Sequence, residues 1–199
     1  MLDERTIREQ IQFYSRRAYD RRLVGGTGGN FSARLNPEQM LITASGVSLG
    51  DTSVDNLIIV NIIDHNWEPV GDLRPSKEFL FHADILRLRP DVGAVLHGHP
   101  LHATAYAVNK RDIPMVTDAA FKQPPMPRVP FAPSGSEALR SNVVHAIEAN
   151  PGCKALLLEE HGTLALGGDI VAAYNVADLT EELATIAYLA EIMKEIAMR

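Results

Sequence analysis

The chain has 199 residues, 46% of them hydrophobic and 22% charged: enough apolar material for one core, and too much for a disordered chain. Its 19 basic and 25 acidic residues leave a net charge of −6 with no Lys/Arg block, which argues against nucleic acid as a partner. One cysteine, Cys153, excludes an internal disulfide, and neither an apolar leader segment near the N-terminus nor an 18-residue apolar run is present, so a cytoplasmic protein without membrane attachment is expected.

In chain order, Ile7, Ile11, Tyr14 and Ala18 recur at helical spacing and predict a helix over 3–22. Gly25 to Asn30 is a glycine-rich turn. Phe31–Leu35 and Met40–Thr43 read as strands around the Asn36-Pro37 turn, Leu57–Ile63 as a buried strand and Trp67–Val70 as a short one. Ser76 is the expected N-cap of a helix over 77–88 that Pro90 stops. A strand over 92–97 and a helix over 101–108 follow. The proline-rich stretch 111–133 reads as loop, with a short strand at Val129–Ala132. A helix over 136–149, strands at Lys154–Leu158 and Thr163–Leu166, and a long helix capped by Asp169 complete the chain. Strands that alternate with helices but often come in adjacent pairs predict one α/β domain over 1–199. Its expected form is a sandwich with a central mixed, largely antiparallel sheet covered by helices on both sides.

The sharpest local signal is Val95-Leu96-His97-Gly98-His99-Pro100, an apolar strand ending in two histidines two residues apart. Residues i and i+2 of a strand share a face, so the two imidazoles form two legs of a metal site. His161 also ends an apolar strand and is also followed by glycine, which makes it the third candidate ligand. His65, His82, His102 and His145 read as exposed or locally satisfied, with His102 notable for its closeness to the His-x-His pair.

Three small-residue turns could hold an anion on backbone N–H groups: Gly25 to Asn30, Thr43 to Gly46, and Arg74 to Glu78. The first is no P-loop, because no GK[ST] follows, and no dinucleotide fingerprint, because a strand comes next. Glu78, in the expected first helical turn, is either a base or metal ligand, or an acidic complement to the helix dipole.

Taken in order, Thr27-Gly28-Gly29-Asn30-Phe31-Ser32, Thr43-Ala44-Ser45-Gly46, Arg74-Pro75-Ser76-Lys77-Glu78, His97-Gly98-His99 and His161-Gly162 resemble the motifs of the class II aldolase/adducin family over residues 5–195. The resemblance implies that His97, His99 and His161 bind Zn²⁺ or another divalent metal such as Mn²⁺ or Co²⁺. It implies that Glu78 is the catalytic acid/base and a possible fourth ligand. Thr27, Asn30, Ser45, Gly46, Ser76 and Lys77 would hold the substrate phosphate. It further implies a homotetramer with active sites between subunits, acting on a small phosphorylated sugar or sugar acid.

The activity so implied is retro-aldol cleavage of a ketose phosphate through a metal-stabilised enediolate. Two alternatives use the same parts: decarboxylation of a 3-oxo-tetronate 4-phosphate, and 4-epimerisation of a pentulose phosphate. A non-catalytic adducin-like module would have lost its ligands, and all are present. A cupin-type oxygenase places its Glu after the histidine pair, whereas Glu78 precedes His97 by 19 residues. Lys77 departs from the aldolase pattern, where a serine is expected, and is similar to the decarboxylase branch. The aldolase tyrosine has Asp118 in its place, with His102 and Lys122 as other stand-ins.

Overall fold

A computed structural model describes residues 3–198. Helix α1 (Glu4–Asp20) begins where the Asp3 carboxylate accepts the Thr6 N–H at 2.9 Å. Strands β1 (Asn30–Arg34), β2 (Gln39–Thr43) and β3 (Leu57–Asn61) precede α2 (Phe79–Leu88). Then come β4 (Ala94–Gly98), α3 (Leu101–Val108), the single turn α4 (Asp118–Phe121) and β5 (Arg128–Val129). Helix α5 (Glu137–Ala149), β6 (Ala155–Leu158), β7 (Gly162–Gly167) and the long α6 (Ile170–Ala197) end the chain.

The seven strands form one open sheet in the order β3-β2-β1-β4-β7-β6-β5. Every pairing is antiparallel except β5 with β6, so the expected mixed, largely antiparallel sheet is what the chain builds. Both faces are covered. Val95, Leu156, Leu158, Leu164 and Leu166 pack with Phe81 and Ile85 of α2 and with Leu139 and Val143 of α5. Phe31, Ala33, Leu96 and Ala165 face the other way, onto Ile7 and Ile11 of α1 and Ala173 and Tyr174 of α6. The strand period of two thus sorts neighbouring residues onto opposite layers. On β1 that sorting sends Phe31 and Ala33 to the α1/α6 side, and leaves Asn30 and Ser32, both buried, for the α2 side.

Three expectations need correction. Residues 67–70 form no strand: Trp67 and Val70 make only isolated bridges, to Val60 and Leu73, and Pro69 between them has no N–H to give a ladder. Helix α2 starts at Phe79, not at 77; its N-cap residue is Glu78, and Ser76 sits one turn earlier with its carbonyl accepting the Phe79 N–H. The stretch 111–133 holds the short α4, capped by the Thr117 hydroxyl on the Ala120 N–H.

Candidate active site

Antiparallel pairing brings one end of several strands together. Asn30, at the start of β1, lies directly opposite His97, near the end of β4. His97 pairs on its other side with Leu164 of β7, and His161 occupies the hairpin turn between β6 and β7 at that same end. The end of β2 joins them, since Thr43 accepts the Ser76 N–H at 3.1 Å and Ala44 bridges Pro75. That tether places Glu78 above the sheet end, where α2 begins.

Around this point His97, His99 and His161 each offer a ring nitrogen within 4.8 Å of the others. The Nε2 atoms of His97 and His99 are 3.1 Å apart. Glu78 Oε2 lies 3.4 Å from His97 Nε2, and its Oε1 3.4 Å from His161 Nε2. Glu78 is buried, yet its carboxylate accepts hydrogen bonds from Asn30 Nδ2 at 2.9 Å and the Ser134 hydroxyl at 2.6 Å. His99 owes its place to two glycines. A Cβ on Gly28 would stand 2.8 Å from its Nδ1, and one on Gly162 would stand 2.7 Å from its Cδ2.

The ligand chemistry fits a divalent cation. His97 Nδ1 donates to the Thr163 carbonyl at 2.9 Å, which leaves the Nε2 lone pair facing the cluster. Burial holds the His97 imidazole well below its usual range, at about 4, against the pull of Glu78. Burial also lowers His99 and His161. Burial thus favours the neutral form of all three rings, the form that can ligate a metal. Burial pushes the Glu78 carboxyl up; the positive charge of a protonated His97 and the hydrogen bonds from the Ser134 hydroxyl and the Asn30 amide pull it down, and a cation held by the neutral rings would exert the same pull. His161 Nδ1 is buried without a hydrogen-bond partner, so the ring is oriented from its Nε2 side, by what it faces in the cluster. Three nitrogen donors beside one anionic oxygen donor suit zinc and its neighbours rather than magnesium or calcium.

The cluster floors a cavity of about 410 Å³. Its rim is formed by the three turns singled out in the sequence: Thr27 to Asn30, Ser45 with Gly46, and Ser76 with Lys77. Gly46 has a φ of +77° and open space where a Cβ would stand, so backbone N–H groups there can be approached closely. Lys77 is exposed on this rim and is its one cationic side chain.

Every site residue expected from the sequence therefore lines one cavity. Gly98, between the two histidines, serves backbone packing: a Cβ there would meet the Leu23 carbonyl at 2.7 Å. Of the expected tyrosine stand-ins, Asp118 pairs with Lys122 on the surface, and neither lines the cavity. His102 is held by Glu181 at 2.8 Å, in a separate groove of about 630 Å³ between α3 and α6. Residues that sequence reasoning missed are Ser134, and behind the site Ser32 and His82. The signal for His82 was its position four residues after Glu78, one helical turn along the same face.

Residues 9–188 match the family described as Class II Aldolase and Adducin N-terminal domain. A 5-methylthioribulose-1-phosphate/5-deoxyribulose-1-phosphate aldolase of Rhodospirillum rubrum is 39% identical over 163 residues, 80% of this chain and 70% of the relative. A 3-oxo-tetronate 4-phosphate decarboxylase of Haemophilus influenzae is 32% identical over 177 residues, 86% of this chain and 80% of the relative. The solved structure of an L-fuculose 1-phosphate aldolase superposes with a TM-score of 0.85 at 26% identity, covering 94% of this chain and 87% of that one.

Proposed function

Because this chain belongs to the class II aldolase and adducin family, whose aldolases depend on a divalent metal, we propose that it is a lyase that cleaves a small ketose 1-phosphate by a retro-aldol reaction. The observation that carries this reading is the buried Glu78 carboxyl, 3.4 Å from His97 and from His161 in a cluster of three histidines, beneath a rim of turns suited to an anion.

A divalent cation held by His97, His99 and His161, with Glu78 as a further ligand at rest, would supply Lewis-acid stabilisation of the negative charge left when the carbon–carbon bond breaks. Glu78 moves the proton, either at the hydroxyl on the carbon that becomes the aldehyde or at the enediolate carbon. The bonding pair passes to the carbon beside the ketone as the aldehyde leaves, and that carbon takes up one proton in place of the one lost from the hydroxyl, so that no net proton is consumed. Asn30 and Ser134 keep the carboxylate aimed. Thr27, Asn30, Ser45, Gly46 and Ser76 hold the phosphate on hydroxyl, amide and backbone N–H groups, and Lys77 adds charge. Fixing the far end of the substrate in this way makes the bond-breaking geometry intramolecular.

The second reading, decarboxylation of a 3-oxo-tetronate 4-phosphate, is favoured by Lys77 on the cavity rim and by the decarboxylase relative. A homotetramer in the cytoplasm completes the proposal. It is supported by exposed Leu101, Tyr188, Leu189, Met193 and Ile196 on α3 and α6, and by a lone buried thiol at Cys153. Among the described residues no helix is long and apolar enough to cross a membrane.

The test is turnover of metal-supplemented protein on 5-deoxyribulose 1-phosphate and L-fuculose 1-phosphate, followed by dihydroxyacetone phosphate release, beside a 3-oxo-tetronate 4-phosphate, followed by CO₂. Release of dihydroxyacetone phosphate from either ketose 1-phosphate supports the aldolase; CO₂ from the 3-oxo-tetronate 4-phosphate, which leaves dihydroxyacetone phosphate as its co-product, with both ketose phosphates inert supports the decarboxylase. Inertness to all three, with metal content unchanged in His97→Ala, overturns both.

A further inference from the structure

Behind Glu78 and Asn30 runs a file of buried polar groups, two of which, His82 and Ser32, the proposed reaction does not use. His82 is wholly buried on α2, and Ser32 wholly buried on β1. The Ser32 hydroxyl is 2.7 Å from His82 Nδ1, His82 Nε2 contacts Asn30 Oδ1, and Asn30 Nδ2 reaches Glu78 Oε2 at 2.9 Å. No water-exposed group interrupts the file.

Each link dictates the next. A carboxylate only accepts, so Asn30 must turn its NH₂ to Glu78. Its carbonyl oxygen then faces His82 and needs a donor, which requires the proton on Nε2. Nδ1 is left as an acceptor, and the Ser32 hydroxyl donates to it. The opposite flip of Asn30 would set its carbonyl against the Glu78 carboxylate in a site too dry to screen the repulsion. A ring buried this deeply stays neutral, as the file demands, and burial does hold it far below its usual range.

We propose that His82, seated by Ser32, is a positioning residue: its Nε2–H locks the Asn30 amide so that one N–H aims Glu78 while the amide stays at the phosphate rim. The proposal rests on the reading of Glu78 as the acid/base. It makes Asn30 a joint between the phosphate cradle and the proton-transfer group, with its orientation set from the protein interior rather than by the substrate.

The experiment compares wild type, His82→Leu and His82→Gln for turnover of 5-deoxyribulose 1-phosphate, for bound metal, and for folding by circular dichroism. The His82→Leu variant should keep its metal and its KM within a few-fold, and lose roughly 10- to 100-fold in kcat, the usual loss when a partner of a site residue is removed. Glutamine can present an N–H near the Nε2 position, so His82→Gln should regain most of that loss. A folded, metal-replete His82→Leu with wild-type kcat overturns the proposal, as does a folded His82→Gln no better than leucine. Independently of turnover, a long-range ¹⁵N–¹H spectrum of the wild-type histidines, with His82 assigned by its absence from His82→Gln, should show the Nε2–H tautomer. The Nδ1–H tautomer overturns the proposal even if His82→Leu does not fold. An inert wild type would sink the lyase reading, and the tautomer spectrum would still decide how Asn30 is held.

Discussion

Two buried carboxylates sit six residues apart on and beside the same helix, and their company differs. Asp84, within α2, is gripped by Arg140 of α5, whose Nη2 is 3.2 Å from Oδ1, and by Arg87 at 3.4 Å. Glu78, at the helix start, has only an amide, a hydroxyl and neutral imidazoles around it. Asp84 therefore has its counter-charge built into the fold and ties α2 to α5. Glu78 has no fixed guanidinium or ammonium against it, in a place where burial makes an unpaired charge unfavourable. A carboxylate left in that state is a group reserved for something that arrives, and the comparison separates a structural acid from a working one more clearly than burial alone.

The largest blow to the working side is His97→Ala, which removes one imidazole and exposes Glu78 to water. Metal content measured by atomic emission should fall, and activity should drop roughly 10⁴-fold, the equivalent of several kcal/mol of charge stabilisation. Treatment of the wild type with a chelator should give the same loss, reversed by zinc or another divalent metal. Next, Glu78→Gln should lower kcat by roughly 10²-fold or more, the range for loss of an acid/base. Its metal-free form should resist urea at least as well as metal-free wild type, because no unpaired charge remains to be buried.

Asp84→Asn should do the reverse: activity per folded molecule retained, stability to urea lowered by about 1.5–3 kcal/mol through loss of charged hydrogen bonds. Burial raises the Asp84 carboxyl, but the Arg140 and Arg87 guanidiniums outweigh it and hold it below its ordinary 3.8. A carboxyl depressed in the folded state adds stability above its unfolded value and loses it as pH falls through the folded value. The gap between Asp84→Asn and wild type should therefore be full near neutrality and close below about pH 4. The smallest effect belongs to the rim: Lys77→Ser should raise KM for a sugar phosphate up to roughly fivefold, as one exposed charge is worth up to about 1 kcal/mol, and the difference should shrink in high salt.

The working side was partly legible in the sequence. His97 and His161 announced themselves because each ends an apolar strand, and antiparallel pairing then puts such ends together. The glycine-rich and serine-bearing turns were legible for the same reason, since they too lie at strand ends. What stayed hidden was set by register between distant elements. His82 looks like any helical histidine until β1 places Asn30 and Ser32 opposite it, 52 and 50 residues away. Their two-residue spacing on a strand whose other positions are apolar was the available trace. Ser134 gave none, because its contact with Glu78 depends on the path of an irregular loop. The missed start of α2 has a related cause: Ser76 is a good cap by residue type, but the backbone there is tethered to Thr43 and turns once before the helix begins.

The slot that holds His99 has walls of bare main chain, Gly28 on one side and Gly162 on the other. Main-chain walls cannot be adjusted by degrees. The smallest possible substitution at Gly28 already meets the ring, and one at Gly162 meets the Gly98 carbonyl as well as the ring, so neither wall can be thickened without moving the ligand or its strand. Room for change lies instead on the cavity rim, where the exposed Lys77 side chain can be exchanged without disturbing how His99 is seated.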